Sequence, residues 1–438
     1  MPFVHLDMKD SIIIRSILYG FLRVIMRAGI HVFFRSVVVK NRHRLKDMDG
    51  PLIVVVNHPS TLMDVLVPGT YIPRVLFYLA NYGLFKNPIS RWILLNTYGI
   101  PVKRREDVAE GESRDNQAAF EQSFEYLEKG RALFIAAEGV SWMNRFIRPL
   151  KTGAARIALE AEGRNDGGLK MRIVPVGLSY TAPHLFRSQV VLSVGAPVEV
   201  SQWLENWKTE PEATVEQLTT HLEQQLRQLT LDALDETGEV LLTQIETLLQ
   251  NEEPLSAEAA FDRSRELLDR HILQDEELKA LTNDYFSIIN TLKVDDWGVR
   301  NKAGVGDYVM LLLGSPIFLV AMIFWWLPLA LPAWLNRRLN LYIGYSSTVK
   351  LLTGMFVTFP LAWWAIVHLT GATGWWRPAL LLVILGLGWW AEQFLDAYGR
   401  VINHGAVQRL QPKVLEQLKH KREYLIGKIL NQFTGQEV

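Results

Sequence analysis

A histidine and an aspartate six positions apart, His58 and Asp64, have side chains suited to acid–base catalysis. An imidazole that donates one ring N–H to a carboxylate keeps its second nitrogen free as a general base. Such a pair could take the proton from a hydroxyl nucleophile. The alternative is two polar residues at the end of a buried strand.

The residues around this pair predict how the chain would bring it together. A run of valines predicts a buried strand before His58, and Pro59 disfavours a helical conformation there, so the chain should turn. Ser60 or Thr61 can then cap a helix beginning at Leu62, which puts the aspartate in its first turn. The histidine would lie at the carboxyl edge of a parallel sheet, where open α/β sheets bind ligands.

Two groups of residues suit an anionic substrate. Lys103, Arg104 and Arg105 directly follow a strand-like segment, and clustered cations, arginine above all, bind phosphate well. Lys151 and Thr152 stand at the predicted N-terminus of a helix, a position that favours anions. An exposed charged turn and an ordinary helix cap are the alternatives.

A carboxylate and a glycine end another predicted strand, at Glu138 and Gly139. Glycine there would let the backbone approach a ligand closely. Strand ends of this kind meet at one edge of a parallel sheet, so we expect these residues near the His58–Asp64 pair.

The elements that must position these residues are short apolar strands alternating with helices between residues 50 and 200. This alternation predicts an α/β fold with a largely parallel sheet and helices on both faces, followed by a helical segment and a C-terminal membrane region. The expected divisions are 1–40 (an amphipathic or membrane-anchoring helix), 41–202 (the α/β domain), 203–306 (helical), 307–399 (membrane region) and 400–438 (basic cytoplasmic tail).

Three apolar runs predict the membrane region. Residues 308–336 and 351–376 carry no Asp, Glu, Lys or Arg, and a third run covers 378–391. Runs of about 20 apolar residues can span a bilayer, and nine of the 14 tryptophans, a residue enriched at membrane interfaces, lie between Trp325 and Trp390.

Basic residues flanking these runs predict the topology. All of them except Arg377 should lie on the cytoplasmic side, which three simple crossings cannot satisfy. We therefore expect a re-entrant or interfacial first segment, broken by Pro316, Pro328 and Pro332, and then one crossing hairpin.

The N-terminal stretch is apolar but interrupted by cations. Lys9, Arg15, Arg23 and Arg27 fall on one side of a helix, opposite the apolar residues. This pattern favours a helix lying in the membrane surface, with a short transmembrane anchor as the alternative.

Composition excludes several functions. Lys+Arg and Asp+Glu are equal at 46 each, which argues against a nucleic-acid partner. The chain has no cysteine, so disulfides and thiolate chemistry are excluded. It also lacks the G-x-S-x-G elbow of serine hydrolases, the P-loop, H-E-x-x-H and G-x-G-x-x-G.

Four blocks in order, "NHPSTLMD", "GIPVKRRED", "AAEGVS" and "IVPVGLSY", resemble the glycerolipid acyltransferases over roughly residues 45–200. The segments "GLSYTAPHLFRSQVVLSVG" and "LKTGAARIAL" look most similar to the glycerol-3-phosphate acyltransferase branch of fungi and many bacteria. The resemblance implies that His58 is the base and Asp64 its partner. It further implies a binding set of Gly99, Arg104 and Arg105 for phosphate, Glu138 and Gly139 in the third block, and Pro175 at the acyl pocket.

This chain departs from the family pattern at two places. Five residues separate His58 from Asp64 where the family has four, although an extra residue in the turn before the helix could absorb the difference. Ala136 and Ala137 stand where Phe-Pro is usual before Glu-Gly, which would change the pocket wall rather than the chemistry.

The resemblance implies acyl transfer from acyl-CoA or acyl carrier protein to glycerol-3-phosphate, without a metal or other cofactor. A 1-acylglycerol-3-phosphate (lysophosphatidate) or another lysophospholipid as acceptor, and a membrane transport or scaffold role, are the alternatives. The implied location is a phospholipid membrane with the catalytic domain on the cytoplasmic side, the bacterial inner membrane being the expected one.

Overall fold

The computed structural model describes residues 8–103, 116–371 and 373–434. The chain forms two compact units. The first contains the chain up to Asp232 and the separate segment Ile343–Ser347, and the second contains Ala233–Tyr342 and the chain from Thr348 onward. The His58–Asp64 pair lies in the first unit.

Eight strands of the first unit form one mixed sheet. In chain order they are β1 (Ser36–Lys40), β2 (Leu52–Val56), β3 (Leu76–Asn81), β4 (Gly99–Val102), β5 (Ala132–Ala136), β6 (Arg172–Tyr180), β7 (Gln189–Val194) and β8 (Val198–Glu199). The strand order is β1-β7-β6-β2-β5-β3-β4, and β8 pairs with β6. Strands β6, β2, β5, β3 and β4 are parallel, whereas β7 and β8 run antiparallel to β6.

The helices of the first unit are α1 (Met8–Phe33), α2 (Met63–Tyr71), α3 (Pro88–Asn96), α4 (Gln117–Glu128), α5 (Gly153–Arg164), α6 (Leu204–Thr209) and α7 (Pro211–Leu229). Alternate residues of the central strands point to opposite faces. On one face Ile53 and Val55 of β2 pack with α4, α5 and α7. On the other face Tyr78 of β3 contacts Tyr19 of α1, and α1 packs against α2. Helices therefore cover both faces, and the predicted fold class is confirmed.

Two details of the first unit differ from the sequence expectations. Strand β1 was not anticipated, and it pairs in parallel with β7 at one edge of the sheet. Two cations of α1 contact α2: the Arg23 Nε donates to the Thr70 carbonyl at 3.2 Å, and the Arg27 guanidinium lies 4.5 Å from the centroid of the Tyr71 ring. The exposed residues of α1 between residues 16 and 33 include Ile17, Phe21 and Val24.

The second unit is helical. Its helices are α8 (Glu236–Glu252), α9 (Ala257–Asp269), α10 (Glu276–Leu292), α11 (Asp296–Arg300), α12 (Val305–Leu339), α13 (Ser346–Thr353, which begins in the first unit), α14 (Phe359–Thr370), α15 (Trp376–Gln408) and α16 (Pro412–Thr434). The leucines and isoleucines of α8, α10 and α16 pack with α9 and α11 into one apolar core.

Helices α12 and α15 pair along their lengths. The Trp325 Nε1 donates to the Ile384 carbonyl at 3.1 Å, and Phe318 stacks on Phe394 with ring centroids 4.3 Å apart. Gly388 lies against the Trp325 indole, where a Cβ would approach the ring to 2.8 Å. The small residue lets the two apolar helices come close.

By length and composition, four stretches of the described chain could cross a membrane: Ser16–Phe33, Val305–Leu339, Ile343–Thr370 and Trp376–Gln408. The expectation that prolines break the first segment of the membrane region is wrong. Helix α12 runs unbroken through Pro316, Pro328 and Pro332. Prolines are tolerated in such helices because side chains and neighbouring helices can satisfy the carbonyls they leave free.

Candidate active site

The pair lies at the carboxyl edge of the sheet, directly after the central strand β2. This strand has β5 on one side and β6 on the other, and all three are parallel. Asn57, the first residue beyond β2, continues the pairing with β6 through its side chain. Its Oδ1 accepts from the Leu178 backbone N–H at 2.7 Å, and its Nδ2 donates to the Leu178 carbonyl at 2.9 Å. The strand end that carries His58 is thereby fastened to β6.

His58 and Asp64 are hydrogen-bonded. The distance from His58 Nδ1 to Asp64 Oδ2 is 2.9 Å. The same oxygen accepts the Ser60 backbone N–H at 2.5 Å. Asp64 is fully buried and His58 is 9% exposed, so the carboxylate is shielded from water while the ring keeps a small accessible surface. If Nδ1 carries the proton that Asp64 accepts, Nε2 is the nitrogen left for proton transfer.

Burial is the main influence on the pKa of Asp64 and raises it, against the opposing effect of its bonds to His58 and Ser60. A carboxylate in this position is costly to hold and gains from a positively charged neighbour. The His58 ring is a side chain within hydrogen-bond distance of this carboxylate.

The turn between the two residues brings them within hydrogen-bond distance across five intervening residues. Thr61 has a left-handed backbone with φ 47°, rare for a β-branched residue. Its N–H donates to Ser141 Oγ at 2.9 Å, and the Trp142 N–H donates to the His58 carbonyl at 3.1 Å. The expected cap by Ser60 or Thr61 is wrong: α2 begins at Met63 without a side-chain cap, and Asp64 reaches back to the Ser60 N–H instead.

Glu138 lies beside the pair and holds the histidine backbone. Its Oε1 accepts from the His58 N–H at 2.8 Å and its Oε2 from the Arg148 N–H at 3.4 Å. Burial, the largest cause, raises the pKa of Glu138. The buried Glu138 carboxylate therefore holds the backbone of His58 in position.

Gly139, Lys151 and Thr152 form the next part of the same edge. Gly139 has φ +76°, and a Cβ there would lie 3.2 Å from Lys151 Cγ, so the lysine side chain passes directly over the glycine. The Lys151 N–H donates to the Ala137 carbonyl at 2.8 Å. Thr152 precedes the first turn of α5, where its Oγ1 accepts from Arg156 Nε at 3.3 Å. Glu138, Gly139 and Lys151 are thus brought together beside His58.

Gly99 and Pro175 have positions that packing explains. A Cβ on Gly99 would lie 3.0 Å from the Leu94 carbonyl, so glycine lets the end of α3 approach β4. Pro175 is buried in β6 opposite Val55, one residue before the end of β2. The structure therefore places Pro175 on the strand next to β2, opposite Val55, and Gly99 at the start of the edge strand β4.

Lys103 follows β4, which β5 and β3 separate from β2. Three strand spacings amount to about 14 Å. The Lys103 Nζ lies 5.8 Å from the centroid of the Tyr82 ring, and the Asn116 side chain bonds both backbone groups of Lys103 at 2.9 Å. Arg104 and Arg105 lie outside the described residues.

Sequence reasoning missed several residues at this site. Asn57 is adjacent to His58, Ser141 lies two residues beyond Gly139, and Tyr180 was quoted only as part of a motif. Tyr180 is buried, and its pKa is well above the ordinary value because of burial and the adjacent Asp64 carboxylate. The segment Ile343–Ser347 had no local signal at all, because it lies about 280 residues further along the chain. Among the described residues no group of three His, Asp or Glu side chains could hold a metal ion.

Comparison with known proteins supports an acyltransferase domain. A family model described as Acyltransferase matches residues 36–179. The chain is 32% identical over 152 residues to glycerol-3-phosphate O-acyltransferase 2 of Saccharomyces cerevisiae, covering 34% of this chain and 20% of that protein. It is 33% identical over 110 residues to glycerol-3-phosphate O-acyltransferase 1 of the same yeast, covering 24% and 14%. The chain thus spans a fifth or less of the length of these two relatives.

A solved structure is also similar. The 1-acyl-sn-glycerophosphate (LPA) acyltransferase PlsC from Thermotoga maritima aligns with a TM-score of 0.35 and 20% sequence identity, over 50% of this chain and 85% of that chain. The family model and the two yeast relatives confirm the predicted resemblance to the glycerolipid acyltransferases, and residues 36–179 match the acyltransferase family model.

Proposed function

We propose that this protein is a membrane-bound O-acyltransferase that acylates glycerol-3-phosphate to give lysophosphatidate. The observation that carries the proposal is the hydrogen-bonded His58–Asp64 pair at the carboxyl edge of the central strand, inside the matched domain. An acyl thioester, acyl-CoA or acyl carrier protein, would be the donor. No metal or other cofactor enters the proposed reaction.

In the proposed reaction His58 acts as the general base. Its Nε2 takes the proton from an acceptor hydroxyl, and that oxygen attacks the thioester carbonyl carbon. The tetrahedral intermediate then collapses as the C–S bond breaks, and the imidazolium returns its proton to the leaving thiolate. Asp64 orients the ring through Nδ1 and stabilises its positive charge. General base catalysis typically contributes about 10²–10⁴-fold.

The acceptor is inferred from the relatives and from the cations. The two yeast relatives are named glycerol-3-phosphate O-acyltransferases. Glycerol-3-phosphate has no acyl chain to anchor it, so its phosphate must supply most of the binding. Lys151 stands beside Glu138 and Gly139 at the edge that holds His58, and a charged hydrogen bond contributes roughly 1.5–3 kcal/mol. We propose Lys151 and Arg104, with Arg105, as the phosphate ligands.

The membrane part of the proposal rests on the apolar helices. Besides the candidate spans of the second unit, α1 presents Ile17, Phe21 and Val24 to solvent, each more than 60% exposed. An apolar helix face of this kind suits the boundary of a bilayer. We propose that α1 docks the catalytic unit on the cytoplasmic side of a membrane. The relatives found are yeast proteins, and nothing in them favours a bacterial inner membrane.

A direct assay tests the acceptor. Purified protein in lipid would be given glycerol-3-phosphate or 1-acylglycerol-3-phosphate, each with acyl-CoA and with acyl carrier protein. We expect a higher kcat/KM for glycerol-3-phosphate. The reverse order would reject this acceptor, and acylation of neither would reject the proposed function.

The phosphate ligands are tested by Arg104→Ala. This change should raise the KM for glycerol-3-phosphate by about 10–100-fold, the equivalent of one charged hydrogen bond. The KM for the acyl donor should stay close to that of wild type. Arg91→Ala, on the exposed side of α3, is the matched control. An equal rise in the KM for glycerol-3-phosphate in both variants would mean that Arg104 contributes no specific contact.

A further inference from the structure

The segment Ile343–Ser347 belongs to the first unit although it follows α12 and leads into α13. It reaches the turn between His58 and Asp64. The Thr61 hydroxyl donates to the Gly344 carbonyl at 3.0 Å, and the hydroxyls of Ser60 and Ser347 lie 3.2 Å apart. These contacts join residues more than 280 positions apart.

The contacting groups are removed from water. Ser60 and Ser347 are fully buried, and Thr61 is 6% exposed. A buried hydroxyl without a partner is costly, so a pair of facing serines stabilises the position of both. The contact is therefore specific rather than a loose approach of two surface loops.

The turn that this segment holds determines the position of the catalytic pair. Ser60 gives its backbone N–H to the same Asp64 oxygen that bonds His58. Thr61 keeps the left-handed backbone that accommodates the extra residue, and such conformations persist only where the surroundings hold them. Release of the turn would move the Ser60 N–H and, with it, the Asp64 carboxylate.

We infer that Gly344 and Ser347 are positioning residues for the His58–Asp64 pair, so that a segment from between the apolar helices completes the site. The kinetic part of this inference rests on the proposed acyl-transfer function. The α/β domain recognised by its motifs is then not the whole catalytic unit, since it lacks the residues that fix its turn.

Disulfide formation tests the contact without relying on activity. The chain has no cysteine, so Ser60→Cys with Ser347→Cys creates the one disulfide that can form. The Ser60 and Ser347 side-chain oxygens lie 3.2 Å apart, so cysteine sulfurs at these two positions should come close enough to react. We expect a cross-link under mild oxidation that a reductant reverses. Ser201→Cys with Ser347→Cys is the control, because Ser201 is exposed elsewhere on the first unit. Absence of the cross-link, with both thiols titratable after unfolding, would overturn the inference.

Substitution tests the positioning role. Ser347→Ala should lower kcat by up to about 100-fold, as expected for a displacement of about 1 Å, and leave KM for both substrates nearly unchanged. Ser347→Thr keeps a hydroxyl and should restore part of the rate, and Ser201→Ala should match wild type. A Ser347→Ala enzyme with wild-type kcat would reject the role.

A third measurement separates this inference from the proposed function. The reaction of His58 with diethyl pyrocarbonate can be followed against pH by mass spectrometry of its peptide, with no substrate present. If Ser347 positions the pair, its loss should shift the midpoint of this profile relative to wild type and to Ser201→Ala. An unshifted profile would reject positioning, whatever reaction the protein catalyses.

Discussion

Each unit of the molecule contains a buried carboxylate, and the two are held in different ways. Asp296 of the second unit accepts from Arg422 Nε at 2.9 Å, the Tyr285 hydroxyl at 2.6 Å and Asn251 Nδ2 at 2.9 Å. Asp64 of the first unit accepts from one imidazole nitrogen and one backbone N–H, both at Oδ2. Asp296 has the permanent positive charge of Arg422 beside it, whereas Asp64 has the His58 ring, which can gain or lose a proton.

The difference separates a structural ion pair from a site suited to proton transfer. Burial lowers the pKa of Arg422, but its bonds to Asp296 and Glu252 outweigh that effect and raise it, so the guanidinium stays charged. Asp64 has no such fixed charge, and burial raises its pKa. Burial of a carboxylate is therefore not a sign of catalysis by itself; the titratable partner is what distinguishes Asp64.

The largest effect should follow removal of the titratable partner. His58→Ala should lower turnover by at least about 100-fold, the low end for a general base, while the protein stays folded. His43→Ala, an exposed histidine of the same unit, is the control and should retain full activity. A His58→Ala variant that keeps more than a tenth of wild-type turnover would remove the proposed mechanism.

Loss of the permanent charge should act on stability. Arg422→Met leaves Asp296 buried without its cation, and breaking such a pair typically costs about 3–5 kcal/mol. Denaturant unfolding would measure this loss. Adding Asp296→Asn should recover part of it, because the uncompensated charge is then removed. If the double variant were less stable than Arg422→Met alone, the charge would not be the cause.

Neutralisation of Asp64 should change the folding stability by a smaller amount and in the opposite direction, toward greater stability. Because its folded pKa is raised, the protonated form stabilises the fold, and this stabilisation is lost as pH rises through the folded pKa. Asp64→Asn should therefore raise Tm at neutral pH, with the gain shrinking as pH falls toward the ordinary range of aspartate, while activity falls severely. A variant less stable than wild type at neutral pH would contradict this sign. Glu138→Gln should show the same direction, since burial also raises the pKa of Glu138.

The sequence predicted those features of the fold that depend on residues close together along the chain. The valines before His58, the proline after it and the alternating strands determine the central sheet and its carboxyl edge. The pairing of β1 with β7 was missed because five residues after a long helix show no clear period. A helical projection predicts that the cations of α1 lie on one side, and it could not show that Arg23 and Arg27 contact α2.

Contacts between distant segments were beyond sequence reasoning. Nothing local marks Gly344 or Ser347 as partners of the turn at Ser60 and Thr61. Both groups of cations were expected to suit the same anionic substrate. The strand order separates Lys103 from the central strand, which the order of motifs along the chain does not reveal.

The unbroken helix α12 has a consequence for its peptide groups. Pro316 has no N–H, so the carbonyl of Leu312, four residues earlier, loses its helical partner. The Ser315 hydroxyl donates to this carbonyl at 3.2 Å. In hydrocarbon an orphaned carbonyl would cost several kcal/mol, because no water is there to replace the bond. The Ser315 hydroxyl thus donates the hydrogen bond that the missing N–H of Pro316 cannot. With this carbonyl satisfied, the helix can stay apolar and continuous.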